Sequence, residues 1–128
     1  MELPQDIKDA LDEKVFVHVA TINPDGSPQV SVVWIGRDGD KVLFSTATGR
    51  VKPRNIEHDA RVALSFTPTS DPYRNIVMQG RVTKTATDGK WLINALSDKY
   101  TGSSDYKGKD GEVRVNYELT IDTIGGWG

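Results

Sequence analysis

Short runs rich in β-branched and aromatic residues alternate with turn sequences along most of this chain. Six such runs cover residues 15–21, 29–35, 41–46, 61–68, 75–85 and 113–121. The early turns contain Asp25-Gly26 and Asp38-Gly39, in which glycine accepts the positive φ that a tight turn needs. Short, closely spaced strands are typical of antiparallel barrels, because closure removes exposed strand edges. We therefore predict a mainly β fold, a six-stranded antiparallel split β-barrel, with an open sheet as the alternative.

Two or three short helices are predicted between the strands. Residues 4–13 form the first, because Pro4 suits an opening helical turn. Residues 89–97 form another after Asp88, a typical N-cap. Residues 41–46 are expected to pair back on the second strand, which gives a three-stranded meander. The polar, glycine-containing residues 97–111 are expected to be mobile and have the composition of an active-site lid.

The size and charge of the chain exclude several classes of protein. Its 128 residues suffice for one domain with a core, so we expect a single split-barrel domain over residues 1–128. A net charge of −2 argues against a general nucleic-acid-binding protein. The chain has no cysteine and no apolar run of about 18 residues. We expect a cytoplasmic protein with no nucleic-acid or membrane partner.

Three cations follow the third predicted strand within five residues: Arg50, Lys52 and Arg54. Pro53 disfavours helical φ and ψ at Lys52, so a short helix is predicted to begin at Pro53 itself. Arg50 and Lys52 would then lie in the approach loop and face the helix N-terminus, which favours an anion. Bidentate arginine together with lysine suits a phosphate dianion. The alternative is a solvated basic loop, which is common on protein surfaces.

No protein acid, base or nucleophile stands out. The two histidines, His18 and His58, belong to no spaced ligand set, so we predict no metal site. The chain has no nucleophile elbow and no Gly-rich dinucleotide or phosphate-binding motif. A phosphorylated cofactor that supplies the chemistry itself would need only binding and orientation from the protein. We therefore expect cofactor-binding residues and no catalytic side chain.

The order of these features resembles the flavin- and deazaflavin-binding split-barrel family that is related to pyridoxamine 5′-phosphate oxidase. Four stretches carry the resemblance: the opening hairpins of residues 15–46, the Gly-Arg-x-Lys-x-Arg-Asn pattern of residues 49–55, the strand of residues 78–82, and Lys99-Tyr100 after the late helix. The pattern of residues 49–55 is the most specific. It most resembles the branch of the family that uses the deazaflavin coenzyme F420.

The resemblance implies a homodimer with the cofactor in a groove between two barrels. It implies that Arg50, Lys52 and Arg54 hold the cofactor phosphate. Further contacts are implied for Ser45, Thr46 and Thr48 along the ribityl chain, for Ser31, Val33 and Trp34 near the ring or acceptor, and for Gln79 and Arg81 from the facing strand. Core or dimer packing is the alternative for Trp34, and a solvated or interface amide is the alternative for Gln79. Trp127 would stack on the partner's cofactor or cap the barrel.

The function implied by the resemblance is an F420-dependent oxidoreductase that transfers a hydride to a small unsaturated or quinone-like acceptor. An FMN-dependent oxidase or reductase of the same fold is one alternative, because both cofactors carry a phosphate and a ribityl chain. A non-catalytic flavin- or F420-binding protein is the other. F420 also has an oligoglutamate tail, for which Arg37, Arg61 and Arg74 are candidate partners.

Overall fold

A computed structural model of the protein describes residues 1–127. Of Trp127 it describes the backbone alone, so the role expected for its ring lies outside the described part. The helices and strands, in chain order, are α1 (Gln5–Asp12), β1 (Val17–Ile22), β2 (Pro28–Val33), β3 (Gly36–Asp38), β4 (Lys41–Ala47), α2 (Val51–His58), β5 (Arg61–Phe66), β6 (Asn75–Ala86), α3 (Trp91–Thr101) and β7 (Arg114–Trp127).

All seven strands join one antiparallel sheet in the order β2-β1-β5-β6-β7-β4-β3. The mainly β, antiparallel class with three helices is confirmed, whereas the count of six strands is wrong. The seventh strand arises because the run predicted at residues 29–35 is divided: β2 ends at Val33 and β3 begins at Gly36. Between them the chain crosses from one edge of the sheet to the other.

Side chains of α3 hold the backbone of this crossover. The N–H of Ile35 donates to Tyr100 Oη at 3.1 Å, and the carbonyl of Ile35 accepts from Lys99 Nζ at 2.8 Å. The same two side chains donate to the carbonyls of Val15 and Leu11, each at 2.6 Å. Ile35 is therefore satisfied without a strand partner. As a result β4 pairs with β3 and β7 and not with β2, so the predicted meander is wrong.

The core lies on one face of the sheet, under α1. Alternate residues of the strands are fully buried there, as period-two patterning requires. The largest of them are Val17, Val19, Val42, Phe44, Leu64, Ile76, Met78, Leu119 and Ile121. The helix α1 lies within the predicted residues 4–13 and covers this core with Ile7, Ala10 and Leu11. Among the described residues, no helix is long and apolar enough to cross a membrane.

Gly80 interrupts β6 at a shift in register. Gln79 pairs with Thr123, but Gly80 pairs with Ile121, so β7 carries one extra residue at this point. A Cβ atom at Gly80 would lie 2.3 Å from the carbonyl oxygen of Thr120. Glycine is required here because the backbone of β7 approaches too closely for any side chain. The expectation of a bulge or a close backbone approach at this glycine is confirmed.

Candidate functional site

A cleft of about 390 Å³ opens where the ends of β2 and β4 meet α2 and α3. We call it the α2 cleft. It is lined by Phe16, Val32, Val33, Trp34, Ser45, Thr46, Arg50, Lys52, Ile93, Leu96 and Tyr106. Six of the eleven residues predicted as cofactor contacts therefore meet in one place, although they come from three separate parts of the chain: Val33, Trp34, Ser45, Thr46, Arg50 and Lys52.

The cationic end of the α2 cleft is built by the start of α2. The helix begins at Val51, two residues before the predicted start, and Arg50 is its N-cap. Pro53 is tolerated inside the first turn because the amide groups of that turn have no helical partner. No acidic side chain lies in the first turn, and no side chain caps it. The free N–H groups and the positive end of the helix dipole therefore remain available to an anion.

Within the described part of the chain, Lys52 is the cation at this end that has no carboxylate partner. Its side chain is half-buried and makes no ion pair or hydrogen bond with any described residue. Burial lowers the pKa of Lys52, and the nearby charge of Arg50 lowers it further. Arg50 is more exposed, and its Nη2 lies 3.4 Å from Glu112 Oε2. A bound anion would relieve the charge repulsion between Arg50 and Lys52.

Hydroxyl groups form a second wall of the α2 cleft. Thr46 is buried and Ser45 is half-buried, at the end of β4. Ser45 Oγ accepts a hydrogen bond from Nε of Arg114 at 3.2 Å. Arg114 also donates to Glu112 Oε1 at 2.7 Å, and this bond lowers the pKa of Glu112. Sequence reasoning missed Arg114, because a polar residue in an alternating strand is normally read as solvent-facing.

Aromatic rings form the third wall. Trp34 stacks on Tyr100 with a centroid distance of 5.2 Å and an interplanar angle of 10°. Tyr106 meets Trp34 edge-on, 6.4 Å away. Sequence reasoning missed Tyr106 as a lining residue, although Tyr100 and Tyr106 are the two aromatic residues in the polar run 97–111. The first five residues of that run belong to α3 and not to a loop.

Asn94 of α3 and Lys90, the N-cap of this helix, position the backbone around Tyr106. Its N–H donates to Asn94 Oδ1 at 3.1 Å, and its carbonyl accepts from Lys90 Nζ at 2.6 Å. Its ring lies under the guanidinium of Arg114, 5.3 Å from Cζ to the centroid. The segment after α3 is therefore attached both to the helix and to β7.

Three predicted site residues do not line the α2 cleft. Thr48 and Arg54 line a neighbouring shallow cleft around the start of α2. Arg54 turns away from Lys52 and donates to Asn23 Oδ1 at 3.1 Å and to Asn55 Oδ1 at 3.2 Å. Ser31 lies on β2, and its buried Oγ has no hydrogen-bond partner among the described residues. A buried hydroxyl without a protein partner is suited to a water molecule or a ligand.

The other two predicted residues lie on β6, away from the α2 cleft. Gln79 lines a cleft of about 420 Å³ on the outer face of β1, β5 and β6, which we call the β6 cleft. Arg81, on the same face, pairs with Asp122. Within one chain the structure does not bring these side chains to the α2 cleft. The three arginines considered for a glutamate tail are also paired with carboxylates: Arg37 with Asp12, Arg61 with Asp59, and Arg74 with Asp6.

Comparison with known proteins identifies the family. The family model described as pyridoxamine 5′-phosphate oxidase matches residues 3–128 of the sequence. The chain belongs to the pyridoxamine 5′-phosphate oxidase family. Among solved structures, an F420 reductase is 30% identical to it, with a TM-score of 0.85 over 96% of this chain and 98% of that one. The resemblance to the F420 branch of this oxidase-related family is thereby confirmed.

More distant members of the structural group share the fold alone. A conserved hypothetical protein from Mycobacterium tuberculosis is 19% identical, with a TM-score of 0.76 over 99% of this chain and 85% of that one. The heme storage protein HutZ from Vibrio cholerae is 15% identical, with a TM-score of 0.68 over 100% and 96%. Comparison with curated protein sequences gives no match. The function must therefore be argued from the site, because this fold serves different ligands.

The α2 cleft of this oxidase-family member is suited to a flavin-type cofactor. Its donors are a half-buried ammonium, a guanidinium and the free amides of a helix start, which together match a phosphate. Two hydroxyls match a polyol, and Trp34 offers a flat apolar wall for a ring system. The family and the F420 reductase relative place the chain among flavin- and deazaflavin-related oxidoreductases.

Proposed function

We propose that the protein is a cytoplasmic F420-dependent reductase that acts on a small unsaturated or quinone-like acceptor. The observation that carries this proposal is the unpaired, half-buried Lys52 at the start of α2, in a chain 30% identical over 96% of its length to an F420 reductase. When bound, the reduced coenzyme supplies the hydride. The chain itself binds the coenzyme, orients it and excludes water from the site.

The positive end of the α2 cleft would hold the coenzyme phosphate. Lys52 contributes a charge that no carboxylate of residues 1–127 neutralises, and Arg50 contributes a planar guanidinium whose contact with Glu112 is long and exposed. A phosphate dianion offers both cations stronger, shorter hydrogen bonds than they now have. The amide groups at Val51 and Lys52 add donors at the helix start.

The remaining walls would position the polyol and the ring. Ser45 and Thr46, at the end of β4, line the same cleft as the cations and the aromatic residues, so their hydroxyls suit the ribityl chain. Trp34 is fixed by its stack on Tyr100 and offers one flat face. Apolar side chains from β2 and α3 exclude water around the ring, which strengthens the polar contacts nearby.

We also propose that the protein is a homodimer that uses the outer face of β1, β2, β5 and β6. Val30 on this face is 60% exposed and lies in a row with Ala20 and Ala63. Val32, which is 50% exposed, lies on the same face beside His18. Such an apolar row is typical of an interface between subunits. Gln79 shares the face, so a dimer would bring it against the partner's copy of the same face. We expect Val30→Asp/Val32→Asp to yield a monomer in sedimentation velocity; an unchanged sedimentation coefficient would contradict this interface.

Titration with purified F420 tests the proposed function. The protein is mixed with oxidised F420 at low ionic strength and the fluorescence of the coenzyme is followed. We expect saturable binding at micromolar concentrations. In a second assay that starts from chemically reduced F420, we expect oxidation of the coenzyme when a quinone such as menadione is added. If F420 and FMN both fail to bind at micromolar concentrations, the proposed function is wrong.

Two further arms of the experiment separate the alternatives. FMN carries the same phosphate and ribityl chain, so tighter binding of FMN than of F420, or a yellow protein straight from the expression host, would favour an FMN-dependent enzyme. Tight binding of F420 with no turnover across a panel of quinones, enones and nitroaromatics would favour a non-catalytic binding protein.

A further inference from the structure

Arg114 is the most deeply buried cation near the α2 cleft. It lies at the start of β7, and its side chain is 3% exposed. Its three neighbours have different chemistry. Glu112 accepts a hydrogen bond from Nη1, Ser45 accepts one from Nε, and the Tyr106 ring lies under the guanidinium plane. Arg114 itself is not among the lining residues of the cleft. A charge this costly to bury needs a role beyond surface solubility.

The contact with Arg114 fixes the polarity of the Ser45 hydroxyl. A guanidinium can only donate hydrogen bonds, so Ser45 Oγ must accept from Nε. A serine hydroxyl has one hydrogen and two lone pairs, and this bond occupies a lone pair. The hydroxyl hydrogen has no acceptor within the described residues. Because Ser45 lines the α2 cleft, that hydrogen is free to point into the cleft.

The carboxylate of Glu112 fixes the other side of the guanidinium. Glu112 Oε1 accepts a hydrogen bond from Nη1 at 2.7 Å, and the Tyr106 ring covers the guanidinium plane, with its centroid 5.3 Å from Cζ. Nε is therefore left pointing at β4. The contacts with Glu112 and Tyr106 therefore restrict the orientation of the Arg114 guanidinium. The bond to Ser45 follows from this arrangement, in which a charged donor strengthens the hydroxyl as a donor in turn.

We propose that Arg114 is a positioning residue that makes Ser45 a hydrogen-bond donor to an oxygen atom of the cofactor. This inference rests on the proposed function, because it assumes that an F420- or FMN-type ligand occupies the α2 cleft. Arg114 does not touch that ligand. It acts through Ser45, so its contribution to binding disappears when the Ser45 hydroxyl is absent.

A double-mutant cycle on ligand affinity tests this. Dissociation constants for F420, with FMN as the second probe, are measured for the wild type, Ser45→Ala, Arg114→Gln and the double variant. A charge-assisted hydrogen bond is worth about 1.5 kcal/mol or more, so each single variant should bind about tenfold more weakly. The double variant should bind no more weakly than Ser45→Ala alone. A residue with a merely structural role would lower the affinity equally in both backgrounds, and that result would overturn the inference.

Matched variants serve as controls for misfolding. Ser45→Thr keeps the hydroxyl on a strand that favours β-branched residues, so it should retain the wild-type affinity. Thr85→Ala removes an exposed strand hydroxyl that lines none of these clefts, and it should change nothing. If Arg114→Gln does not fold, as judged by circular dichroism, Arg114→Met, which has no donor, replaces it in the cycle. Unchanged affinity in Ser45→Ala overturns the inference without any Arg114 variant.

The outcomes for this inference and for the proposed function are distinct. If the wild type binds neither F420 nor FMN, the proposed function fails and this inference fails with it. If the wild type binds but the cycle is additive, the proposed function stands and only the role of Arg114 is wrong.

Discussion

The α2 cleft and the β6 cleft are nearly equal in volume, about 390 and 420 Å³, but their charges are arranged differently. In the β6 cleft, Arg61 is paired with Asp59, and Asp122 on the wall is paired with Arg81. In the α2 cleft, Lys52 has no carboxylate partner among the described residues. Arg50 makes only a long, exposed contact with Glu112.

The difference shows that neither size nor the number of cations identifies the candidate site. An arginine that already shares its hydrogen bonds with an aspartate has little to offer an anion unless that pair is broken. A half-buried lysine without a partner gains the full interaction when an anion arrives. Whether each cation already has a carboxylate partner is therefore the more useful criterion. It can be tested by neutralising the cations of each cleft in separate variants.

The largest effect is expected from neutralising the cations of the α2 cleft. Arg50→Gln/Lys52→Gln should weaken F420 binding by about 100-fold or more at low ionic strength, since two charge-assisted contacts are worth at least about 3 kcal/mol. The measurement is a fluorescence titration. Arg61→Gln/Arg81→Gln is the matched control and should bind within a few-fold of the wild type. An equal loss in both double variants would remove the distinction between the clefts.

The next effect concerns the β6 cleft, which we expect to matter for stability. Gly80→Ala places a methyl group against the carbonyl of Thr120, so it should lower the free energy of unfolding by about 1–3 kcal/mol. Gly125→Ala is the matched control on β7, where a Cβ atom would meet nothing within 4 Å. Urea denaturation measures both variants. Similar unfolding midpoints for the two would show that the close approach at Gly80 is relaxed in solution.

A smaller effect is expected from the wall that carries Trp34. Tyr100→Phe removes the hydroxyl that serves both Ile35 and Val15, and should cost about 1–2 kcal/mol of unfolding free energy. Tyr73→Phe, at a ring that is 86% exposed, should cost less than about 0.5 kcal/mol. Thermal denaturation of the pair measures the difference. If the two variants melt alike, α3 does not hold the crossover.

The smallest effect is a pH dependence. Because burial and Arg50 lower the pKa of Lys52 below its ordinary 10.5, Lys52 loses its charge at a lower pH than a solvated lysine does. The affinity for F420 should therefore fall a few-fold as the pH rises from neutral towards 10. Lys52→Arg keeps its charge over this range and should show a flatter profile. A wild-type affinity that rises with pH would contradict the assignment of Lys52 as an anion ligand.

Local sequence patterns were sufficient for the parts of the fold that depend on neighbours in the chain. The helix α1 and the alternating strand β4 follow from periodicity, and Gly80 was correctly expected to mark a close approach. The convergence of Arg50 and Lys52 was foreseen from their position after β4, although α2 begins two residues earlier than expected.

The features that could not be predicted depend on partners distant in sequence. Nothing near residues 29–35 indicates a break, because the groups that satisfy Ile35 are supplied by Lys99 and Tyr100. Likewise, the pairing of Arg61 and Arg81 with carboxylates, and the burial of Arg114, depend on which strands become neighbours. The sequence identifies charged residues that could bind an anion, but it does not show which of these charges are already neutralised by a partner.

The dependence of the crossover at Ile35 on α3 has a consequence for biosynthesis. Tyr100 and Lys99 follow Ile35 by 65 and 64 residues, which a ribosome adds in about 3–13 s. During that interval the polar backbone between β2 and β3 has no protein partner and stays hydrated. The edge strands β2 and β3 therefore cannot take their final places while the chain is still nascent, and a transcript truncated before α3 should yield a product that chaperones retain.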